Sequence, residues 1–211
     1  MKHVIAVILL FIWLAPPALA NVRVVDGDTI RIGDQSYRIY GIDAPEIGQS
    51  CGAWACGKDA ANALLGMVRG QAVSCEAVET DRYGRIVARC FAGQRDIGAA
   101  MVDAGLAWAF RRFSTDYAAK EDAARAARLG VWAHEAIPPW QFREERWDAS
   151  ARKSPVAGCP IKGNISQSGR IYHAPWSPWY SRTRINEAKG ERWFCDEREA
   201  VEAGWRAPYW P

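Results

Sequence analysis

The sequence predicts an α+β fold built on a short antiparallel sheet, and two observations carry that expectation. Twice, two segments of alternating apolar and polar residues flank a glycine turn, first at Gly33-Asp34 and again at Tyr83-Gly84. Around these pairs lie Ala- and Leu-rich segments whose apolar residues recur at helical spacing. Period-two alternation marks half-buried strands and period-3.6 marks helices packed on them, and strands that pair locally favour α+β over a parallel α/β sheet.

The chain opens on a segment that reads as an export leader, residues 1–20. Lys2 precedes an apolar run from Val4 to Leu14, and Ala18-Leu19-Ala20 is an Ala-x-Ala cleavage signal. The run is short for a membrane span, an uncleaved N-terminal anchor being the alternative, and no other segment is apolar enough to cross a bilayer. Periplasmic or secreted localisation is the expectation. Removing the leader takes away Lys2 and no acid, so one unit of the formal charge of +3 is lost. A mild basic excess agrees with a polyanionic partner without identifying one.

Val22 to Glu46 carries the first strand pair. Asp26-Gly27-Asp28-Thr29, Arg38 and Asp43-Ala44-Pro45-Glu46 gather acids and a guanidinium where loops meet strands. Buried carboxylates repel one another unless a cation or strong hydrogen bonds hold them, and a hard divalent metal is the simplest partner. Lys58 to Val68 follows as a helix stopping at Gly70. Ala72 to Val78 and Arg85 to Phe91 form the second hairpin, with Arg85 at its mouth. Asp96 to Ala104 reads as a second helix and Asp116 to Leu129 as a third, with Asp116 or Ser114 as its cap and Gly130 beyond its end.

Six cysteines, all after the leader, suit an oxidising compartment and an even disulfide count. Fifteen connectivities are open to six cysteines. Spacing favours Cys51 with Cys56 within one loop, Cys75 with Cys90 across the hairpin, and Cys159 with Cys195 in the tail. Metal binding by the thiols is the rival, weakened because no Cys-x-x-Cys pair occurs.

Asp26-Gly27-Asp28-Thr29, Arg38, Asp43-Ala44-Pro45-Glu46 and Asp81-Arg82-Tyr83-Gly84-Arg85 resemble, in order and spacing, the motif set of the staphylococcal nuclease (thermonuclease) family. The likeness covers roughly residues 21–132. It implies a β-barrel-rich α+β fold, a five-stranded oligonucleotide/oligosaccharide-binding (OB-fold) barrel with three helices, to which a small C-terminal disulfide-tied module is added here. The domains expected are a leader (1–20), a nuclease-like domain (21–136), a linker or packing helix (137–154) and a C-terminal module (155–211).

The resemblance also implies a chemistry, phosphodiester hydrolysis of DNA or RNA leaving 3′-phosphate ends. Asp28, Asp43 and the backbone carbonyl of Ala44 would hold Ca²⁺, with Asp26 just outside ordering a bound water. Ala44 stands where threonine is usual, a departure that spares a main-chain ligand. Glu46 would serve as general base or position the attacking water, while Arg38 and Arg85 would grip the phosphate through planar two-point donors. Arg82, Tyr83 and Phe113 would contact the substrate strand, single-stranded by preference, by stacking and charge. Phe113 lacks the hydroxyl that many family members carry near that position. Trp108 and Phe110 are read as core. The protein is expected to be a monomer. A catalytically inactive barrel that binds nucleic acid or another envelope polymer is the alternative; the acids argue against it, since binding alone needs only the basic groups.

Ile137-Pro138-Pro139 closes the nuclease-like region, and Trp140 to Lys153 reads as a charged helix lying against the barrel. Beyond Ser154-Pro155, the tail resembles a C-terminal module attached to some bacterial secreted nuclease-like proteins, and distantly resembles small zinc-bound nucleic-acid modules. Its candidate ligands are His173, Cys159 and Cys195, too few for a four-ligand zinc site, so a disulfide-tied unit is expected. Its many tryptophans are read as core, with recognition of nucleic acid or of the cell envelope as the alternative.

Overall fold

A computed structural model describes residues 21–210; the expected leader lies outside the described residues. β1 (Val22–Val24) and β2 (Thr29–Ile32) pair antiparallel with Val22 opposite Ile32 and Val24 opposite Ile30. That register gathers the apolar side chains on one face of the pair. β3 (Gln35–Ile39) follows a turn at Gly33, whose φ of 59° is the left-handed conformation glycine supplies without strain. β4 (Ile42–Asp43) precedes α1 (Cys56–Val68), which buries Ala60, Ala61, Leu64 and Val68 at helical spacing.

β5 (Val73–Thr80) and β6 (Ile86–Ala92) form the second hairpin, and β7 (Arg95–Asp96) pairs with β6. α2 (Ile97–Asp103) starts at Asp96, whose carboxylate accepts from the amide of Ala99, a side-chain cap on an orphan donor. β8 (Trp108–Ala109) pairs with β4. α3 (Ala118–Ala126) begins two residues later than expected, after Tyr117, and no side chain caps it. Asp116 is instead drawn into an ion pair with Arg89, and Ser114 accepts from the Asp116 amide.

The strands run in the order β1-β2-β3-β6-β5, antiparallel except for the parallel β3–β6 pair. The strand order fits the expected five-stranded path, but two features differ from it. Among the described residues no pairing joins β5 to β1 to close a barrel, and β7 makes the sheet six-stranded. Val24, Ile30, Ile39, Ile42, Leu64, Ile97 and Met101 form one buried cluster between sheet, α1 and α2. Burying each such side chain contributes roughly 1.5–3 kcal/mol.

The charged helix expected over Trp140 to Lys153 is present, and a further helix stands in the tail. α4 (Pro139–Ala151) starts with Pro139 in its first turn, where the missing N–H costs nothing. The tail forms β9 (Ile161–Ser166), β10 (Gly169–His173) and β11 (Arg192–Phe194) in the order β10-β9-β11, with α5 (Glu197–Glu202) capped by Asp196. Its own core holds Ile161, Tyr172, Phe194, Ala200 and Trp205. The tail's tryptophans divide between that core and the seam with the first sheet: Trp205 is buried within the module. Trp210 donates from its backbone to Val24 and from its indole to Asn62.

The three expected disulfides are present, Cys51–Cys56, Cys75–Cys90 and Cys159–Cys195. The last removes both tail thiols from any metal site. His173 is buried and bonded to Asn164 and Ser177. Among the described residues no helix is long and apolar enough to cross a membrane.

Candidate active site

The acids of the first motif are placed by the close approach of three elements. A Cβ on Gly27 would lie 2.7 Å from the Ala44 side chain and 2.9 Å from that of Ala60, so only glycine lets the Asp26–Asp28 turn press on both. A Cβ on Gly57 would fall 1.7 Å from the carbonyl oxygen of Glu46. The start of α1 therefore abuts the Asp43–Glu46 loop, and this packing brings the two acidic motifs together.

Asp28 and Asp43 are 3% and 0% exposed, and Arg38 spans them, Nη1 donating to Asp28 Oδ1 (2.9 Å) and Nη2 to Asp43 Oδ1 (2.8 Å). Asp28 also accepts from the Thr29 hydroxyl and from the Ala44 amide. Burial pushes the Asp28 carboxyl up, but the Arg38 charge and the Ala44 amide outweigh it and hold the group below its usual range. Asp26 accepts from the Asp28 amide, and burial beside Asp28 and Glu46 pushes its carboxyl well above the usual range.

Arg143 of α4 is the chief residue that the sequence reading did not single out. Its Nη1 donates to Asp43 Oδ1 (3.0 Å) and Glu46 Oε1 (2.8 Å), and its Nη2 to Asp43 Oδ2 (2.7 Å). Burial alone would neutralise Glu46; Arg143 pulls the other way, and the carboxyl is left raised to about 7. Gln49, also not singled out in the sequence, is fully buried and fixes this arrangement. It accepts from the Glu46 amide and donates to the Ile137 carbonyl, tying the acid loop to the segment that leads into α4. Within α4, Arg143 stands in the run Arg143-Glu144-Glu145-Arg146, which reads as a solvated face; no local signal separates it from its neighbours.

Arg85 lines the same cleft as Asp26, Arg38 and Glu46 but is bonded to Asp81 through Nε (2.7 Å) rather than to the acid cluster. Asp81 also accepts from the amides of Tyr83 and Arg85, so the hairpin turn itself aims the guanidinium. The Tyr83 ring carries Arg82 on it at 4.8 Å and Arg85 at 5.1 Å. Phe113 is 62% exposed and packs on Phe110, which stacks in turn on Trp140 of α4. Trp108 is buried against Trp132, as a core residue is, but Phe110 is only partly buried and borders the cleft, which corrects its reading as core.

Ala44 donates its amide to Asp28 Oδ2. The donor chemistry fits a hard divalent cation. Asp28 and Asp43 offer only oxygen, the donor a hard cation takes, although Arg38 and Arg143 already bond those oxygens and would compete with it. Among the described residues no three His, Cys, Asp or Glu side chains form a metal-ligating group, and the expected set holds two.

Residues 36–134 match the family described as Staphylococcal nuclease homologue, and residues 141–207 match a second family, ArfC. The chain is 32% identical over 158 residues to a protein named Uncharacterized endonuclease in Escherichia coli, covering 69% of this chain and 99% of that protein. It is 36% identical over 147 residues to the micrococcal nuclease of Shigella flexneri, covering 61% of this chain and 82% of that protein. It is 35% identical over 155 residues to protein ParB of Escherichia coli, covering 63% and 85%. With its acids, arginines and strand order in this arrangement, the chain belongs to the staphylococcal nuclease family.

Proposed function

We propose that this protein is an exported, Ca²⁺-dependent nuclease that hydrolyses phosphodiester bonds of DNA or RNA to leave 3′-phosphate ends, acting as a monomer in the periplasm or outside the cell. The observation that carries this reading is the linked set Asp28–Arg38–Asp43–Arg143–Glu46, with Arg85 on the wall of the same cleft. Acids would be superfluous in a surface that only binds a polyanion. In a hydrolase they have two uses, holding a cation and activating water.

Asp28 and Asp43, with the Ala44 carbonyl, would hold the Ca²⁺, which when bound supplies positive charge against the phosphate. Glu46 accepts the proton of the attacking water. Arg85 is free of the acid cluster and presents its remaining donors to a phosphoryl oxygen; a planar guanidinium matches that geometry where lysine does not. Arg38 keeps the two buried acids together and adds charge beside the phosphate. The charges are fixed before substrate arrives, so little reorganisation is needed as negative charge develops.

A second reading, a barrel that binds without turnover, draws on Arg143, whose guanidinium already satisfies Asp43 and Glu46. One assay separates the two. Purified protein incubated with single-stranded DNA should degrade it in Ca²⁺ and stop when chelator is added, and Glu46→Ala and Arg85→Ala should fold but lose at least 100-fold in rate. Binding without degradation by the parent protein would establish the second reading.

A further inference from the structure

Two cavities meet at the candidate active site. One of about 570 Å³ lies between the sheet and the tail, the other of about 890 Å³ beside the hairpin turn and α4. Both are bordered by Asp26, Glu46, Tyr83, Arg85, Trp176 and Glu197. The catalytic cleft is thus a passage with two arms. The tail is seated directly on it: a Cβ on Gly48, two residues beyond Glu46, would lie 2.5 Å from the carbonyl oxygen of Trp176.

The arm on the tail side has an unusual lining. Arg31 comes from β2, whereas Arg170, Trp179, Arg206 and Tyr209 come from the tail. The Tyr209 ring has one guanidinium over it from Arg206, at 4.1 Å, and one from Arg23, at 5.0 Å. Among the described residues Arg23, Arg170 and Arg206 have no carboxylate partner, and Arg31 has only the fully exposed Asp34, at 3.5 Å. Burial, and then the repulsion of Arg31 and Arg23, push the Arg206 guanidinium below its usual value although Tyr209 opposes them. Glu197 is the one acid the tail contributes, and it is taken up by the Tyr172 hydroxyl. Asp26 and Glu46 border the arm at the candidate active site and Asp34 stands beside Arg31, but among the described residues no carboxylate pairs with Arg170 or Arg206. Guanidinium groups left free beside aromatic rings are the composition that holds phosphates between stacked bases.

We infer that the C-terminal module supplies one wall of a single-strand-binding groove, in which Arg31, Arg170, Arg206, Trp179 and Tyr209 hold nucleotides beyond the scissile phosphate. The inference rests on the nuclease reading for what lies at the junction of the two arms. It assigns the module a substrate and makes the length of strand bound greater than the nuclease-like domain alone would cover. Because the wall stands against the catalytic loop, the groove suits a flexible single strand better than a duplex.

The test is fluorescence anisotropy of the full mature chain with labelled oligothymidylates of 4 and 20 nucleotides, in chelator so that no turnover occurs. The parent should bind the longer strand more tightly. Arg31→Ala combined with Arg170→Ala should lose about tenfold in affinity for the 20-mer, and the slope of log K against log salt should fall by about 1.4, two phosphate contacts at about 0.7 each. Tyr209→Ala should lose about fivefold or more, the lower range for one stacked base. Arg206 is kept, because its guanidinium also holds the carbonyls of Ser168 and Ala207. Should the double variant fail to fold, Arg31→Glu alone, on the barrel side, should reproduce the loss. Parent-like affinity and slope in the folded variants would overturn the groove. If the variants weaken binding while the parent shows no hydrolysis in Ca²⁺, the groove stands and the nuclease reading fails.

Discussion

Arg143 and Asp43, 100 residues apart in the chain, meet in a two-point ion pair in which each Asp43 oxygen accepts from one Arg143 nitrogen, at 3.0 and 2.7 Å. The pair puts a tethered positive charge on a carboxylate expected to bind Ca²⁺. A cation and a guanidinium compete for the same oxygens, so Ca²⁺ has to displace part of this contact. A hydrogen bond to a charged group contributes about 1.5–3 kcal/mol. Arg143→Gln should therefore tighten Ca²⁺ binding by roughly tenfold or more, read by isothermal titration calorimetry on the purified protein. An unchanged Kd would show that Arg143 and the metal occupy separate places.

Arg38 has a different duty, since both of its partners are buried. Truncating it leaves Asp28 without its main opposite charge and removes one of two from Asp43. Breaking a buried pair in this way costs about 3–5 kcal/mol. Arg38→Ala should lower the melting temperature sharply in chelator, and Arg38→Lys should recover only part of it because one ammonium does not span both acids. Added Ca²⁺ should raise the melting temperature of Arg38→Ala more than that of the parent. Arg85→Ala, whose partner Asp81 lies in the hairpin turn away from the acid cluster, should melt closer to the parent than Arg38→Ala does.

The convergence of Asp28, Arg38 and Asp43 is legible in the sequence because each sits at a strand end or turn whose position follows from alternation and glycine. Two turns and one register are enough to bring them together. Arg143 is not legible in that way. Which face α4 turns to the cleft is decided by long-range contacts, the stack of Trp140 on Phe110 and the bridge from Gln49 to Ile137. Neither leaves a periodic trace. Phe110 is misread for a related reason: it follows the buried pair Trp108–Ala109, but the strand has ended and its ring faces α4 across the cleft. The three disulfides are legible because spacing within a loop, a hairpin and a tail leaves each cysteine one near partner.

Glu46 links the site to pH. Its carboxyl is raised to about 7, first by burial and against the pull of Arg143, so in the metal-free protein it titrates near neutrality. For an acid whose folded pKa exceeds its unfolded value of about 4.3, the contribution to stability is full below the unfolded pKa and is lost as pH rises through the folded one. Glu46→Gln should therefore flatten the melting temperature against pH between about 4.5 and 7. Arg143→Gln should move the titration further up, because burial persists when the opposing charge leaves. Carboxyl ¹³C shifts of Glu46 across pH 4 to 9 check both signs; a midpoint near 4 would refute them.

The tail disulfide should matter more than the loop disulfide. On the chain-entropy account, closing a loop stabilises through the unfolded state and grows with the logarithm of its length. Cys159–Cys195 spans 36 residues and Cys51–Cys56 spans 5, giving about 4 and about 2 kcal/mol respectively. Paired replacement of Cys159 and Cys195 by serine should thus cost the larger amount, and should do so chiefly in the module, since Cys159 precedes β9 and Cys195 follows β11. The nuclease-like domain keeps Cys75–Cys90 and its own core. Hydrogen exchange should show protection lost at residues 161–173 and 192–205 while α1 and α2 stay protected. Uniform loss across both would mean that the module and the nuclease-like sheet unfold as one unit.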